Sequence, residues 1–260
     1  MRDLLKTTLA IAEDAATLVL AGFRDLDAVE KKGTIDLVTE YDLKAEARIR
    51  ERLAAAFPDD QIVGEEGEDG AVDPARPVWY VDPIDGTTNF AHGHPFFSVS
   101  IARFAEGRAQ VGVVAAPALG VVWAAAEGLG ATRNGALCRV SERATLEDAL
   151  CATGFPYDRW TAEDDNLREH RAFLKRTRGI RRCGSAAIDL CLVADGTYDL
   201  YWEQRLSPWD MAAGACLVAE AGGTLTDYDG GPADPRTGRL VASNGRVHEA
   251  ALAVLREARE

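Results

Sequence analysis

Residues 78–88 read Val-Trp-Tyr-Val-Asp-Pro-Ile-Asp-Gly-Thr-Thr, an apolar run that is followed at once by two carboxylates. An uninterrupted apolar run of this length is typical of a strand that is buried on both faces. Ligand sites of open sheets lie beyond the carboxyl ends of strands, so Asp82 and Asp85 are predicted to border one. Gly86 permits a tight turn, and the threonines that follow can open a helix whose free N–H groups would receive an anion. Taken alone, the segment also fits an ordinary acidic turn with a capping threonine.

Around this strand the pattern alternates between helices and strands. Helices are predicted over 3–24 and from a Thr39–Asp42 capping box to about residue 57. Strand-like residues from 96 to about 140 indicate a mostly antiparallel sheet. Further predicted elements are listed here with their approximate ranges: helices at 146–152, 164–176, 184–196, 207–223 and from 247, and strands at 179–182, 198–202, 224–228 and 240–242. We predict an α/β protein with a boundary near residue 145, so that 1–145 and 146–260 form two halves of one compact catalytic unit.

The composition excludes several classes of partner. The 260 residues carry a formal charge of −13, which disfavours binding to nucleic acid or to an anionic membrane. A phosphorylated substrate would be repelled as well, so a phosphate site requires a local positive charge such as a bound metal. The five cysteines form no C-x-x-C pair, which favours a reducing compartment, and a cytoplasmic location is predicted. The longest uncharged run, 109–126, is interrupted by glycine and proline and is predicted to form a hairpin with its turn near Pro117.

Two other segments carry acids in suggestive positions. Gly64-Glu65-Glu66-Gly67 places two carboxylates side by side between glycines, and in isolation a solvated acidic loop is the favoured interpretation. In Ser207-Pro208-Trp209-Asp210, the aspartate falls at the acidic position of a capping box, which is a sufficient structural reason for it. Taken together with Asp82 and Asp85, these acids are hard oxygen donors of the kind that Mg²⁺ prefers.

These residues closely resemble the inositol monophosphatase family of metal-dependent, lithium-sensitive phosphatases. The order and spacing of G-E-E at 64–66, W-Y-V-D-P-I-D-G-T-T-N-F at 79–90 and W-D-x-A-A-G at 209–214 match, and the likeness extends over nearly the whole chain. The resemblance implies an αβαβα sandwich of the inositol monophosphatase and fructose-1,6-bisphosphatase type, a homodimer, and two or three Mg²⁺ ions. It also implies hydrolysis of a small polyol or sugar-like phosphate monoester, with inositol 1-phosphate as the default substrate.

The resemblance also assigns roles to individual residues. The implied metal ligands are Glu65, Asp82, the Ile84 carbonyl, Asp85 and Asp210. Glu66 and Thr87 would activate the attacking water, with Asp42 holding the threonine, although a capping box is the alternative role of Asp42. Phosphate would lie at Gly86 and Thr87, and the alcohol would face Gly184, Ser185, Ala186 and Glu203, with Asp210 beside it. Lys31 would be a loop lysine near the site, and Lys32 fits that role equally well.

Several alternatives stay open at this point. Histidinol phosphate or fructose 1,6-bisphosphate could be hydrolysed at the same site, and a regulatory metal-binding homologue is a hypothesis of another class. A calcium-binding module is disfavoured because no EF-hand loop pattern occurs. Arg205, near Glu203, could contact a second anionic group or be a solvated surface residue. We expect His92 and His94 in an exposed loop, and His170 and His248 on helix surfaces.

Overall fold

The computed structural model describes residues 1–25, 29–31, 37–67 and 69–260, and it describes the backbone alone at 29–31, 37 and 235. The helices of this part of the chain are α1 Arg2–Gly22, α2 Glu40–Ala56, α3 Thr87–Ala91, α4 Leu167–Leu174, α5 Ala186–Ala194, α6 Pro208–Glu220 and α7 His248–Arg259. Its strands are β1 Val29–Lys31, β2 Leu37–Thr39, β3 Gln61–Gly64, β4 Val78–Asp85, β5 Ser98–Ala105, β6 Arg108–Ala116, β7 Val121–Ala126, β8 Gly130–Arg133, β9 Ala136–Cys138, β10 Leu150–Thr153, β11 Gly179–Arg181, β12 Leu200–Gln204, β13 Thr224–Thr226 and β14 Arg239–Ser243.

The first large sheet contains seven strands in sequence order, β3 to β9. Only the β3–β4 pair is parallel, so the predicted antiparallel character of the region is confirmed. The predicted turn near Pro117 is a short 3₁₀ helix between β6 and β7. Strand β4, however, does not end before the acidic motif. It continues to Asp85, with a break in its pairing to β5 between Asp82 and Asp85 that re-aims the side chains.

The second sheet has five strands in the order β11-β10-β12-β14-β13, with parallel pairs around β10 and antiparallel pairs around β14. The prediction of a helix at 146–152 is wrong. A single 3₁₀ turn at Leu146–Asp148 is followed by strand β10. A short apolar run fits either a helix or a buried strand, and here the neighbouring strands β11 and β12 decide for the strand.

Five layers stack through the molecule. Helices α1 and α2 cover one face of the seven-stranded sheet, α5 and α6 lie between the two sheets, and α4 and α7 cover the far face of the second sheet. The central layer is thin because α6 carries small residues. A Cβ on Gly112 of β6 would lie 2.5 Å from the Ala213 carbonyl oxygen, so glycine lets α6 approach the sheet. The predicted αβαβα sandwich is confirmed.

The linker between the sheets lies at 139–149, which brackets the predicted boundary at 145. The division into two halves stays a prediction. His92 and His94 are exposed, as predicted. The prediction that His248 lies on a helix surface is wrong. It is buried between the hydroxyls of Thr226 and Ser243, each 2.9 Å from a ring nitrogen. Among the helices of the described ranges, none combines the length and the apolar composition that a membrane crossing requires.

Candidate active site

Three carboxylates, contributed by two distant segments of the chain, lie in one cluster. Asp82 and Asp85 come from β4 and Asp210 from the first turn of α6, and one oxygen of each lies within 4.8 Å of the others. Burial raises the pKa of Asp82 well above its usual value, and the neighbouring charges of Glu65, Asp85 and Asp210 raise it further. Burial likewise raises the pKa of Asp210. Such a cluster of like charges is unfavourable unless cations or protons neutralise it.

Asp85 links the first sheet to the amino end of helix α5. Its carboxylate accepts hydrogen bonds from the Ala186 N–H at 3.2 Å and the Ala187 N–H at 2.8 Å, and also from the hydroxyl of Ser185. These donors belong to the amino end of α5, where unpaired N–H groups favour negative charge. Burial raises the pKa of Asp85 to about 6, and the hydrogen bonds from α5 oppose that rise.

Asp210 has two roles. Its Oδ2 accepts the Ser207 N–H at 2.6 Å and completes a capping box, as the sequence indicated. The residue nevertheless also lines the pocket and belongs to the carboxylate cluster. The helix cap therefore fixes the orientation of a carboxylate that remains directed to the site.

Thr87 and Asp42 form the predicted pair. The Thr87 hydroxyl lies 3.1 Å from Asp42 Oδ1 and 2.9 Å from the Ile84 carbonyl oxygen, and either oxygen can accept its hydrogen bond. The other oxygen of Asp42 accepts the N–H of Thr39 at 2.8 Å and closes the capping box of α2. Both interpretations of Asp42 therefore hold, because one carboxylate caps the helix and orients the threonine.

Three charged side chains hold the Glu65–Glu66 segment through hydrogen bonds and ion pairs. Glu46, buried on α2, accepts the Glu66 N–H at 2.8 Å, and Arg50 Nε donates to Glu46 at 2.8 Å. Arg50 also binds both carboxylate oxygens of Asp69, and Asp69 accepts the Gly64 N–H at 2.8 Å. We call Glu46, Arg50 and Asp69 the loop clamp. Sequence reasoning missed it, although the charges of Glu46 and Arg50 stand one helical turn apart.

The cluster opens into a pocket of about 270 Å³. All five implied metal ligands line it, namely Glu65, Asp82, Ile84, Asp85 and Asp210. The predicted phosphate and alcohol residues line it too: Gly86, Thr87, Gly184, Ser185, Ala186 and Glu203. Ser185 and Ala186 direct their polar groups to Asp85, so their contact with a substrate would be secondary to holding this carboxylate.

Two predicted residues stand behind the pocket wall. Asp42 reaches the site through Thr87, and Glu66 adjoins Glu65 but is not part of the pocket lining that the described residues provide. The side chain of Lys31 and all of Lys32 lie outside the described residues. Arg205 lines the pocket and forms an ion pair with Asp158, so it is neither a free cation nor simply a surface residue.

Three further charged side chains line the pocket. Glu203 on β12 accepts the Tyr201 hydroxyl at 2.6 Å, and burial raises its pKa to about 7. Asp189 on α5, which sequence reasoning missed, is buried with its Oδ1 unpaired among the described residues. Arg182 is also in the lining and was missed. Its place just before the Gly184–Ser185 turn was the available signal.

The donor set fits a hard divalent cation. Asp82 Oδ1 is buried and has no hydrogen-bond partner among the described residues, a costly arrangement that a metal ion would relieve. The surrounding ligands are carboxylate and carbonyl oxygens, which suit Mg²⁺ rather than a thiolate-seeking metal. The site can therefore hold a metal-dependent reaction on an anionic substrate.

Comparison with known proteins agrees with this chemistry. The family model described as "Inositol monophosphatase family" matches residues 1–260. The chain is 43% identical to Nus factor SuhB of Pseudomonas aeruginosa, over 98% of this chain and 96% of the relative. It is 45% identical to inositol-1-monophosphatase of Synechocystis sp., over 94% and 87%. It is 40% identical to fructose-1,6-bisphosphatase/inositol-1-monophosphatase of Thermotoga maritima, over 98% and 96%.

A solved structure extends the likeness to three dimensions. The inositol monophosphatase of Anabaena (Nostoc) sp. superposes with a TM-score of 0.91 at 38% identity, covering 98% of this chain and 96% of that one. Fold, motif spacing and whole-length sequence similarity thus point to one group of enzymes. The chain belongs to the inositol monophosphatase family and is a phosphatase that hydrolyses phosphate monoesters.

Proposed function

We propose that the protein hydrolyses inositol 1-phosphate to inositol and phosphate in a Mg²⁺-dependent reaction. The observation that carries the proposal is the cluster of buried Asp82 and Asp85 with half-buried Asp210, which includes the unpaired Asp82 oxygen and faces a polar pocket. Mg²⁺ bound by these residues and Glu65 would neutralise phosphate charge and lower the pKa of the attacking water. The names of the Synechocystis and Anabaena relatives support inositol phosphate as the substrate.

The chain's own residues would orient the reactants. The Thr87 hydroxyl can donate a hydrogen bond to Asp42 and accept one from the attacking water, and Glu66 would serve as a second acceptor. Gly86 and the backbone that begins α3 would hold the phosphate. Glu203, fixed by Tyr201, and the unpaired oxygen of Asp189 offer acceptors for a hydroxyl-rich alcohol. A polyol satisfies such buried acceptors better than an apolar alcohol does.

The charge of the site favours more than one ion. The four acidic ligands Glu65, Asp82, Asp85 and Asp210 carry four negative charges when they are ionised, and one Mg²⁺ would leave half of this charge unbalanced. We therefore infer two or three Mg²⁺ ions. Homodimer formation and inhibition by lithium stay predictions that the family resemblance supports, and a cytoplasmic location stays one that the cysteine pattern supports.

The test is phosphate release from a panel of substrates, with and without Mg²⁺, for the wild type and for Asp82→Asn. The panel contains inositol 1-phosphate, histidinol phosphate, fructose 1,6-bisphosphate and 3′-phosphoadenosine 5′-phosphate. Fastest Mg²⁺-dependent turnover of inositol 1-phosphate, lost in the variant, is the expected result. Faster turnover of another compound would show that this compound is the preferred substrate, while Mg²⁺-dependent hydrolysis of a phosphate monoester would still hold.

A regulatory role is the second candidate, because the Pseudomonas aeruginosa relative is named as a Nus factor. A folded protein that binds Mg²⁺ but releases phosphate from no compound of the panel would favour it. Retention of cellular function by the inactive Asp82→Asn variant would favour it as well.

A further inference from the structure

Two parallel strands of the second sheet end side by side at the catalytic pocket. Strands β10 and β12 pair with Thr153 opposite Trp202, and the residues that follow, Gly154 and Glu203, both line the pocket. A Cβ at Gly154 would overlap the Glu203 carboxylate, so this carboxylate lies directly against the Gly154 backbone. The separation of the two strand ends therefore fixes where the carboxylate of Glu203 lies.

One buried amide ties these strand ends together. Asn166, which is 1% exposed, donates from Nδ2 to the Gly154 carbonyl oxygen at 2.6 Å and to the Thr153 hydroxyl oxygen at 2.8 Å. Its Oδ1 accepts the indole N–H of Trp202 at 2.9 Å, and the Thr153 hydroxyl donates to the Trp202 carbonyl oxygen at 2.6 Å. Both N–H groups and the oxygen of the amide are used in this way, so replacing the side chain breaks contacts to both strands.

Asn166 does not perform the local role that its position offers. It immediately precedes α4, where asparagine commonly caps the helix, yet its side chain makes no capping hydrogen bond to α4. Asp165 instead accepts the Leu167 N–H at 2.9 Å. The backbone of Asn166 has φ +68°, a left-handed conformation that asparagine tolerates better than most residues but that still costs free energy. The contacts to the strands, rather than the helix, therefore account for this side chain.

The chain just before Asn166 is joined to the same end of β12. Gln204 Nε2 donates to the backbone oxygen of Asp164 at 3.1 Å and to its Oδ1 at 2.9 Å. Arg239, on the neighbouring strand β14, pairs with the Asp164 carboxylate at 2.8 Å. Residues 164–166 thus hold the strand ends at two points, and Asn166 is the one that reaches both β10 and β12.

We propose that Asn166 is a positioning residue for the alcohol part of the substrate, which acts by holding Glu203 against Gly154. The inference rests on the proposed function, in which Glu203 accepts a hydrogen bond from a hydroxyl of the polyol. The described lining of the pocket does not include Asn166, so its effect must pass through the two strand ends. Loss of the amide should therefore weaken binding of the alcohol while the metal-ligand cluster, which β4 and α6 carry, stays in place.

The experiment compares Asn166→Asp with the matched substitution Asn244→Asp. Asn244 is also buried and also ties two segments, since its Nδ2 donates to the Ser141 hydroxyl at 2.9 Å and to the Arg143 carbonyl oxygen at 2.8 Å. It follows β14, beside the end of β12 that lies opposite to Glu203. In each variant an oxygen replaces the amide NH₂ group and faces a carbonyl oxygen, so the two substitutions disturb the fold in the same way at different ends of the sheet.

The readouts are steady-state kinetics with inositol 1-phosphate and with phenyl phosphate, whose ring carries no further hydroxyl. For Asn166→Asp we expect KM for inositol 1-phosphate to rise about tenfold while kcat changes less than about threefold, the range of one lost hydrogen bond to a charged group. The ratio of kcat/KM for inositol 1-phosphate to kcat/KM for phenyl phosphate should fall about tenfold. Asn244→Asp should keep the wild-type ratio even where its melting temperature falls. Asn166→Gly breaks the same contacts, and because glycine accepts φ +68° without strain, it should lower the ratio as well.

An unchanged ratio in Asn166→Asp would overturn the proposal, and so would an equal fall in Asn244→Asp, which would indicate a general loss of stability. If Asn166→Asp does not fold, the ratio in Asn166→Gly decides by the same criterion. Loss of folding in both Asn166 variants would assign the residue to stability alone and would overturn the proposal too.

Failure of the proposed function gives a different result. If the wild type hydrolyses neither ester, calorimetric titration in Mg²⁺ measures the Kd of inositol 1-phosphate. Binding about tenfold weaker in Asn166→Asp than in the wild type would support the positioning role even though the hydrolytic function had failed. Equal binding by the two proteins would overturn it.

Discussion

The buried carboxylate of Glu46 accepts a 2.8 Å hydrogen bond from the backbone N–H of Glu66. This bond fixes the acidic segment from the side opposite the pocket, and Arg50 holds Glu46 in place. We predict that Arg50→Gln raises the Mg²⁺ concentration for half-maximal activity by about tenfold, the usual effect of losing support behind a metal ligand. The measurement is a Mg²⁺ titration of phosphate release.

Arg48→Gln is the control for the loop clamp. Arg48 lies on the same helix and forms an exposed ion pair with Asp14, so its loss should change neither Mg²⁺ dependence nor melting temperature appreciably. If Arg50→Gln lowers the melting temperature but leaves the Mg²⁺ titration unchanged, the loop clamp stabilises the fold without positioning Glu65 and Glu66.

The hydroxyl of Thr87 should control the chemical step. Thr87→Val removes the hydroxyl at nearly constant volume, and we expect kcat to fall about 100-fold with little change in KM, because aligned proton transfer contributes this much. Thr87→Ser retains the group that faces Asp42 and should keep most of the activity. Equal kcat values for the valine and serine variants would show that the hydroxyl has no part in the reaction.

Loss of the charge on Asp82 should stabilise the metal-free protein. Asp82→Asn removes one charge from a cluster of mutually repelling acids. In a chelator, the free energy of unfolding should therefore rise by about 1 kcal/mol, and the midpoint of thermal unfolding by ~2–4 °C. Mg²⁺ should no longer raise the midpoint. Asp210→Ala is the informative contrast, because it removes a helix cap together with the charge and should not stabilise.

The metal-free protein should lose stability as the pH rises. Burial raises the pKa of Glu203 from 4.5 to about 7, so between these values the folded protein keeps a proton that the unfolded chain has released. The stabilising contribution is present below pH 4.5 and is lost as the pH passes through about 7. Denaturant unfolding in a chelator at several pH values measures this slope, and Glu203→Gln should make it shallower. A slope that rises with pH in the wild type would contradict the assignment.

Gly154 makes room for Glu203. A Cβ at this buried position would overlap the Glu203 carboxylate, so Gly154→Ala should displace it and raise KM by about tenfold, equivalent to one lost hydrogen bond to a charged group. Steady-state kinetics with inositol 1-phosphate measure the change. Gly70→Ala, where a Cβ meets nothing within 4 Å, is the control. An unchanged KM in Gly154→Ala would show that Glu203 does not contribute to substrate binding.

The three clustered carboxylates could be singled out from the sequence because each lies in a short motif with local signals. Asp82 and Asp85 follow a buried run, and Asp210 follows a serine and a proline that begin a helix. Residues that act only through tertiary contacts were missed. The loop clamp depends on Arg50 reaching Asp69 across 19 positions, and no periodic pattern records such a contact.

The same limit explains the errors of secondary structure. Residues 150–153 form a short apolar run that suits a helix or a strand, and only pairing with strands more than 25 positions away decides between them. His248 looked like a surface residue because its neighbours on α7 include glutamate and arginine. Its burial arises from Thr226 and Ser243, which the chain brings in from the adjacent strands.

The helix-capping roles of Asp42 and Asp210 bear on how such a chain can evolve. A descendant that had given up catalysis would still be under selection to keep both, since each terminates a helix. Asp82 caps no helix, and replacing it would remove an internal repulsion between buried acids. In a lineage that had lost catalysis, we therefore expect Asp82 to be replaced before Asp42 or Asp210.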